Sequence, residues 1–171
     1  GDFKIDYTPV FGEMIDLIRF AELGKKGVLA LLCESTNAER PGFTQSERTV
    51  GKTISRIFDD HKKSRIIIAT FASNVDRVQQ IINSAYKYGR KVVVEGRSMV
   101  NVIQTASELG YIDIPDNTLI EIDQIKNYPD EQVVLITTGS QGENMAALSR
   151  IAASIHKQIT IKPGDVVIFS S

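Results

Sequence analysis

Cysteine and histidine are scarce in this sequence, which holds one cysteine, Cys33, and two histidines, His61 and His156. A lone cysteine cannot form an intrachain disulfide, and this fits a reducing compartment. Zinc sites need clustered imidazole, thiolate or carboxylate ligands. Because the two histidines are far apart and fall at the ends of predicted helices, the sequence predicts no intact metal site, and both are predicted to be surface residues.

A net excess of positive charge and long apolar runs are also lacking. The net charge of -1 gives no global positive field, so a nucleic acid would have to bind a local surface or parts of the molecule outside this sequence. No apolar run approaches the roughly 18 to 20 residues of a membrane span, and residues 1–20 lack the pattern of a signal peptide. The sequence therefore predicts a soluble, cytoplasmic protein with no membrane contact, built around one main domain.

Strand and helix patterns alternate along the chain. Apolar, β-branched runs of strand length and stretches of helical period follow one another three times. Strands are predicted at residues 27–33, 65–70, 91–95, 118–122, 132–137 and 165–170, and helices at 10–23, 48–58, 75–88, 99–109 and 144–155. Successive βα units with runs buried on both sides predict an α/β fold with a mostly parallel sheet and helices on both faces.

Small polar residues and glycines follow the predicted strands. The carboxyl ends of parallel strands meet at one edge of a sheet, so we expect these residues to converge there and to bind phosphate through free amides. They are Glu34, Ser35, Thr36 and Asn37; Ser73 and Asn74; Arg97 and Ser98; and Gly139, Ser140, Gln141, Gly142 and Glu143. The alternative is that Ser73, Asn74 and Ser98 are ordinary helix caps.

Two other sequence patterns give only weak evidence of function. The basic residues at 61–65 and 90–91 precede strands, which predicts solvated positions at the opposite edge. Residues 139–142 hold only part of the dinucleotide fingerprint G-x-G-x-x-G, so no small-molecule cofactor is predicted.

Five sequence blocks carry a family resemblance. They are GDFKID at 1–6, ESTNAE at 34–39, ATFASNV at 69–75, GRSM at 96–99 and TTGSQGE at 137–143, the last followed by MAALSR at 145–150. In this order and spacing the chain resembles bacterial ribonuclease J, a metallo-β-lactamase superfamily nuclease with an inserted β-CASP domain. The resemblance implies a metallo-β-lactamase segment at residues 1–42 and a β-CASP domain at 43–171, so we expect an internal piece of a longer protein.

The resemblance also implies chemistry. In that family two divalent metals, usually zinc, activate a water that attacks RNA from its 5′ end and internally. Asp2 matches the aspartate that bridges the metals, and Glu34 matches the acidic residue that opens the β-CASP signature and orients a histidine. Ribonuclease J usually has aspartate at position 34 and serine at position 33, where this chain has Cys33.

The family's histidine motifs, H-x-H-x-D-H and those that come later, would lie outside residues 1–171. We therefore expect no metal in this chain, an RNA-binding role without cleavage, and a homo-oligomeric parent enzyme. The alternative is a free-standing α/β module for a small phosphorylated metabolite. The coding sequence on either side distinguishes the two.

Overall fold

The computed structural model of the chain describes residues 3–170, and its contacts divide the chain into two compact units between Val50 and Gly51. The predicted boundary at residue 42 stays a prediction. The helices are α1 (Leu17–Lys26), α2 (Glu47–Asp60), α3 (Val75–Lys87), α4 (Arg97–Glu108) and α5 (Ala147–Ala152), with short 3₁₀ helices at Ile122–Asn127 and Asp130–Gln132. The strands are β1 (Ile66–Thr70), β2 (Lys91–Glu95), β3 (Val133–Thr137) and β4 (Val166–Ser170).

The four strands form one parallel sheet in the order β2-β3-β1-β4. Leu135 of β3 lies opposite Ile67 of β1 and Val93 of β2, and Ile67 also lies opposite Val167 of β4. Every residue of β1 and β3 is buried, as expected for central parallel strands covered on both sides. The predicted α/β fold with a parallel sheet is confirmed.

Helices cover both faces of the sheet. Side chains alternate between faces along a strand, and one face packs against α5 in a cluster that includes Ile67, Leu135 and Ile151. The opposite face carries the remaining buried strand residues. The buried apolar side chains of α3 and α4 lie outside the α5 cluster, and both helices contact β2. Within residues 3–170 no helix has the length and apolar character needed to cross a membrane.

Two predicted strands are wrong. Residues 27–33 form no strand, since no strand among the described residues pairs with this segment. Leu29, Leu31 and Leu32 are exposed. Residues 118–122 make only a bridge between Val92 and Leu119. A 3₁₀ helix begins at Ile122, and a reciprocal capping box fixes its start, which stops the extension of the strand.

Two helices begin three or more residues later than predicted. α1 begins at Leu17 rather than residue 10, since the Asp16 carboxylate accepts a hydrogen bond from the Arg19 amide at 2.8 Å and caps the first turn. α5 begins at Ala147 rather than residue 144, because Met145 has φ 70° and cannot continue a right-handed helix.

Two basic residues predicted to be solvated are buried. The Arg65 guanidinium binds the Asp165 carboxylate through Nε at 2.9 Å and through a terminal nitrogen, which also donates to the Thr160 carbonyl. Arg90 donates to the carbonyls of Ser64 and His61, each at 2.7 Å. These partners satisfy the donors, so burial is tolerated.

Candidate functional site

A cleft of about 710 Å³ opens where β2 leads into α4 and β3 leads toward α5. We call it the carboxyl-edge cleft. Its lining includes Arg97, Ser98, Thr138, Glu143, Met145 and Arg150. These residues follow neighbouring strands, because β2 and β3 pair directly in the sheet. The predicted convergence of two of the four polar loops is therefore observed.

Glycine is required where the two loops approach each other. Gly96 has φ 110°, and a Cβ atom there would lie 2.8 Å from Thr138 Oγ1. Gly139 has φ 108°, and its Cβ would lie 3.0 Å from the Cβ of Ala146. Both positions combine a left-handed backbone with a close neighbour, so a side chain at either would strain the cleft.

The first turn of α4 faces this region with its backbone amides uncapped by side chains. Gly96 is the N-cap residue of α4. Because glycine has no side chain, it makes no side-chain hydrogen bond to the amides of the first turn. Ser98 therefore lies inside the first turn and is not the predicted cap. Its neighbour Arg97 is exposed. Uncapped amides at a helix N-terminus favour an anionic group nearby.

The loop at residues 139–143 is folded on itself. The Gln141 amide donates to the Glu143 carboxylate at 3.0 Å, and the Gly142 amide donates to the Gly139 carbonyl at 3.2 Å. Ser140 is buried, and its hydroxyl has no hydrogen-bond partner within residues 3–170. Of these five residues only Glu143 lines the cleft, and the others form the turn that supports it.

Ser73 and Asn74 do not line the carboxyl-edge cleft. The Asn74 side chain accepts a hydrogen bond from the Arg77 amide at 3.1 Å and caps α3. For Asn74 the helix-cap alternative is thus confirmed. Ser73 is exposed and precedes that cap.

Three residues outside the predicted set of site residues lie at or beside the cleft. Glu95, the last residue of β2, accepts a hydrogen bond from His156 Nε2 at 3.0 Å and lies 3.7 Å from a terminal nitrogen of Arg150. His156 is buried, so its predicted surface position is wrong, whereas His61 is exposed as predicted. The available sequence signals were the position of Glu95 at a strand's carboxyl end and that of Arg150 in the block at 145–150.

Comparison with known proteins decides the family. The sequence model described as "Ribonuclease J, beta-CASP domain" matches residues 63–171. The chain belongs to the ribonuclease J β-CASP family. It is 52% identical to ribonuclease J of Synechocystis sp., 54% to ribonuclease J 1 of Streptococcus pyogenes and 47% to ribonuclease J2 of Bacillus subtilis, in each case over all 171 residues. The chain spans 27%, 30% and 31% of these relatives.

The two residues that the ribonuclease J resemblance assigns to catalysis lie in the first unit of the chain. Asp2 is outside the described residues. Glu34 is partly buried, and its carboxylate accepts a hydrogen bond from the Thr36 amide at 2.8 Å. Ser35, Thr36 and Asn37 are exposed in the turn that follows. The carboxylate is therefore held by its own turn, and not at the end of a strand as predicted.

The ribonuclease J resemblance implies two metal ions, which need suitable side chains close together. Residues 3–170 contain no group of three or more histidine, cysteine, aspartate or glutamate side chains that could hold a metal ion. Two metals need several such ligands in close contact. This part of the chain therefore does not fit the metals by itself.

Proposed function

We propose that this chain is part of a metal-dependent ribonuclease of the ribonuclease J type, acting on RNA from the 5′ end and internally in RNA processing and decay. The observation that carries the proposal is the carboxyl-edge cleft, formed by two of the family's sequence blocks and lined by Arg97 and Arg150. The similar proteins are named as ribonuclease J enzymes, which supports a ribonuclease activity. The proposed enzyme is cytoplasmic and homo-oligomeric.

In this proposal the chain provides one wall of the RNA site, and Asp2 together with other parts of the whole protein holds two divalent metals, with zinc as the expected ion. Arg97 offers five donors to phosphate oxygens, and the uncapped first turn of α4 adds backbone amides. These 171 residues have a net charge of -1 and so need such a local positive group to bind RNA.

Binding across a salt series tests the RNA site. In the whole protein, Arg97→Ala is expected to weaken binding of a short 5′-phosphorylated RNA and to flatten the log-log salt dependence by about 0.7, the value for one contact to a single strand. Lys62→Ala is the matched control, since Lys62 precedes β1 at the opposite edge and pairs with Asp59 at 2.8 Å. If both variants showed the same salt dependence and affinity as the unmodified protein, RNA would have to bind elsewhere.

Gly142→Val tests the loop at the same edge. Gly142 has φ 74°, and a Cβ there would meet nothing within 4 Å among the described atoms. Valine therefore strains the backbone and projects into open space. We expect weaker RNA binding with metal content unchanged. Normal binding would show that this loop does not approach the RNA.

Zinc calorimetry and cleavage of a labelled 5′-phosphorylated RNA test whether metal binding and cleavage need the whole protein. The 171-residue chain alone is expected to bind no zinc with micromolar affinity and to cleave no RNA, whereas the whole protein does both. Metal-dependent turnover by the chain alone would contradict the proposal.

A further inference from the structure

Arg150 differs from the other partly or fully buried arginines of the second unit. Arg65, Arg77 and Arg90 donate hydrogen bonds to a carboxylate or to backbone carbonyls. Within residues 3–170 the Arg150 side chain makes no hydrogen bond, and its Nε is buried without a partner. Its charged partner, Glu95, lies 3.7 Å away, which is beyond hydrogen-bond length.

A guanidinium with unmade hydrogen bonds is costly when its solvent is removed. The Arg150 side chain is 36% exposed, and the residue lines the carboxyl-edge cleft, as Arg97 does. A ligand in the cleft can therefore reach the donors that the protein leaves unused. Phosphate oxygens are the acceptors that match the planar fork of an arginine.

His156 explains why Glu95 does not satisfy Arg150. The Nδ1 atom of His156 accepts the amides of Gln158 at 3.3 Å and Ile159 at 3.2 Å, so Nε2 carries the hydrogen. That Nε2–H donates to Glu95 Oε1, the same oxygen that lies 3.7 Å from Arg150. The histidine thus holds the carboxylate at a distance where it attracts the guanidinium without bonding to it.

We propose that Arg150 is a second phosphate-binding arginine of the carboxyl-edge cleft, and that the Glu95–His156 pair positions it. The inference rests on the proposed function, in which single-stranded RNA occupies this cleft. Arg97 and Arg150 then contact different phosphates of one strand. Arg150 binds the RNA directly, whereas Glu95 and His156 act through Arg150.

The test measures the affinity of the whole protein for a short 5′-phosphorylated RNA with phosphorothioate linkages, which resists cleavage. Arg150→Met is expected to weaken binding about ten-fold and to flatten the salt dependence by about 0.7. Lys62→Met removes the same charge at the opposite edge and is expected to change neither. If Arg150→Met does not fold, Arg150→Gln keeps a polar side chain and is expected to show the same losses.

A double-mutant cycle tests positioning. Glu95→Gln still accepts the hydrogen bond from His156 but loses its charge, so Arg150 is no longer drawn into place. In that background Arg150→Met is expected to cost less than about three-fold in affinity. An unchanged ten-fold cost would make Glu95 a structural residue only and would overturn the positioning role.

Different results would contradict the proposed function and the role of Arg150. If the unmodified protein does not bind the RNA, the proposed function is wrong. If it binds and Arg97→Ala weakens it while Arg150→Met and Arg150→Gln bind normally, the proposed function stands and the inference about Arg150 is wrong.

Discussion

Gly96→Ala tests whether the close approach of the two cleft loops is as tight as the structure shows. Gly96 has φ 110° and ψ 125°, a conformation that other residues adopt at a cost of about 1–3 kcal/mol. The new methyl would lie 2.8 Å from Thr138 Oγ1 and 3.3 Å from its Cγ2. Overpacking of this kind costs about 1–3 kcal/mol more. We expect the free energy of unfolding to fall by about 2–6 kcal/mol in total.

Thr138→Ala separates the two costs. It removes Oγ1 and Cγ2 and leaves Cβ at 3.6 Å from the new methyl, an ordinary contact. In urea denaturation the double variant is therefore expected to recover at least about 1 kcal/mol relative to the sum of the singles. Gly110→Ala is the matched control, with φ 77° and no described atom within 4 Å of the added Cβ, and should cost only about 1–2 kcal/mol. Additive effects of Gly96→Ala and Thr138→Ala would refute the close approach.

Three further predictions concern ion pairs and the acidic residues. Asp165→Asn leaves the buried Arg65 guanidinium without its carboxylate and should lower the free energy of unfolding by about 3–5 kcal/mol in urea, against about 0–1 kcal/mol for Asp130→Asn in an exposed pair. Hydrogen bonds, first that from the Thr8 amide, lower the pKa of Asp6 from its ordinary value of 3.8, so its stabilising effect is complete above pH 3.8 and is lost as the pH falls through the folded-state pKa. An NMR titration midpoint at or above 3.8 would contradict this. Glu34→Gln in the whole protein should reduce RNA cleavage at least about 100-fold without altering stability, and cleavage at the parent rate would leave Glu34 a structural role only.

The two central strands of the sheet, β1 and β3, were predictable from sequence because they are buried on both faces. The runs at 66–70 and 133–137 are apolar almost without interruption, and turn residues bound them, so the predicted ends differ from the observed ones by one residue. The segment at 27–33 is equally apolar, yet it forms no strand. A strand also needs a hydrogen-bonding partner, and an apolar pattern contains no information about whether one is present.

The site was predictable only where topology determines it. Residues after neighbouring parallel strands must meet, and this brought Arg97 and Glu143 to one cleft. The pairing of Glu95 with His156 joins residues far apart in sequence, and the burial of a histidine depends on such a partner. Helical periodicity placed Arg150 on a helix but could not show that its guanidinium would lack hydrogen bonds. The proposed RNA contacts stay predictions.

The strand order has a consequence for how the chain folds while it is being synthesised. β3 lies between β1 and β2, although it follows both in the chain. Until residue 137 has left the ribosome, β1 and β2 have no neighbour that joins them, and each exposes an unpaired edge. Long-range pairing of this kind is slow and leaves such edges open to wrong partners. The insertion of β3 joins β1 to β2 and brings the two cleft loops together in the same step, so a nascent chain cannot form the cleft before β3 is in place, whereas β4 adds to the far side of β1 later.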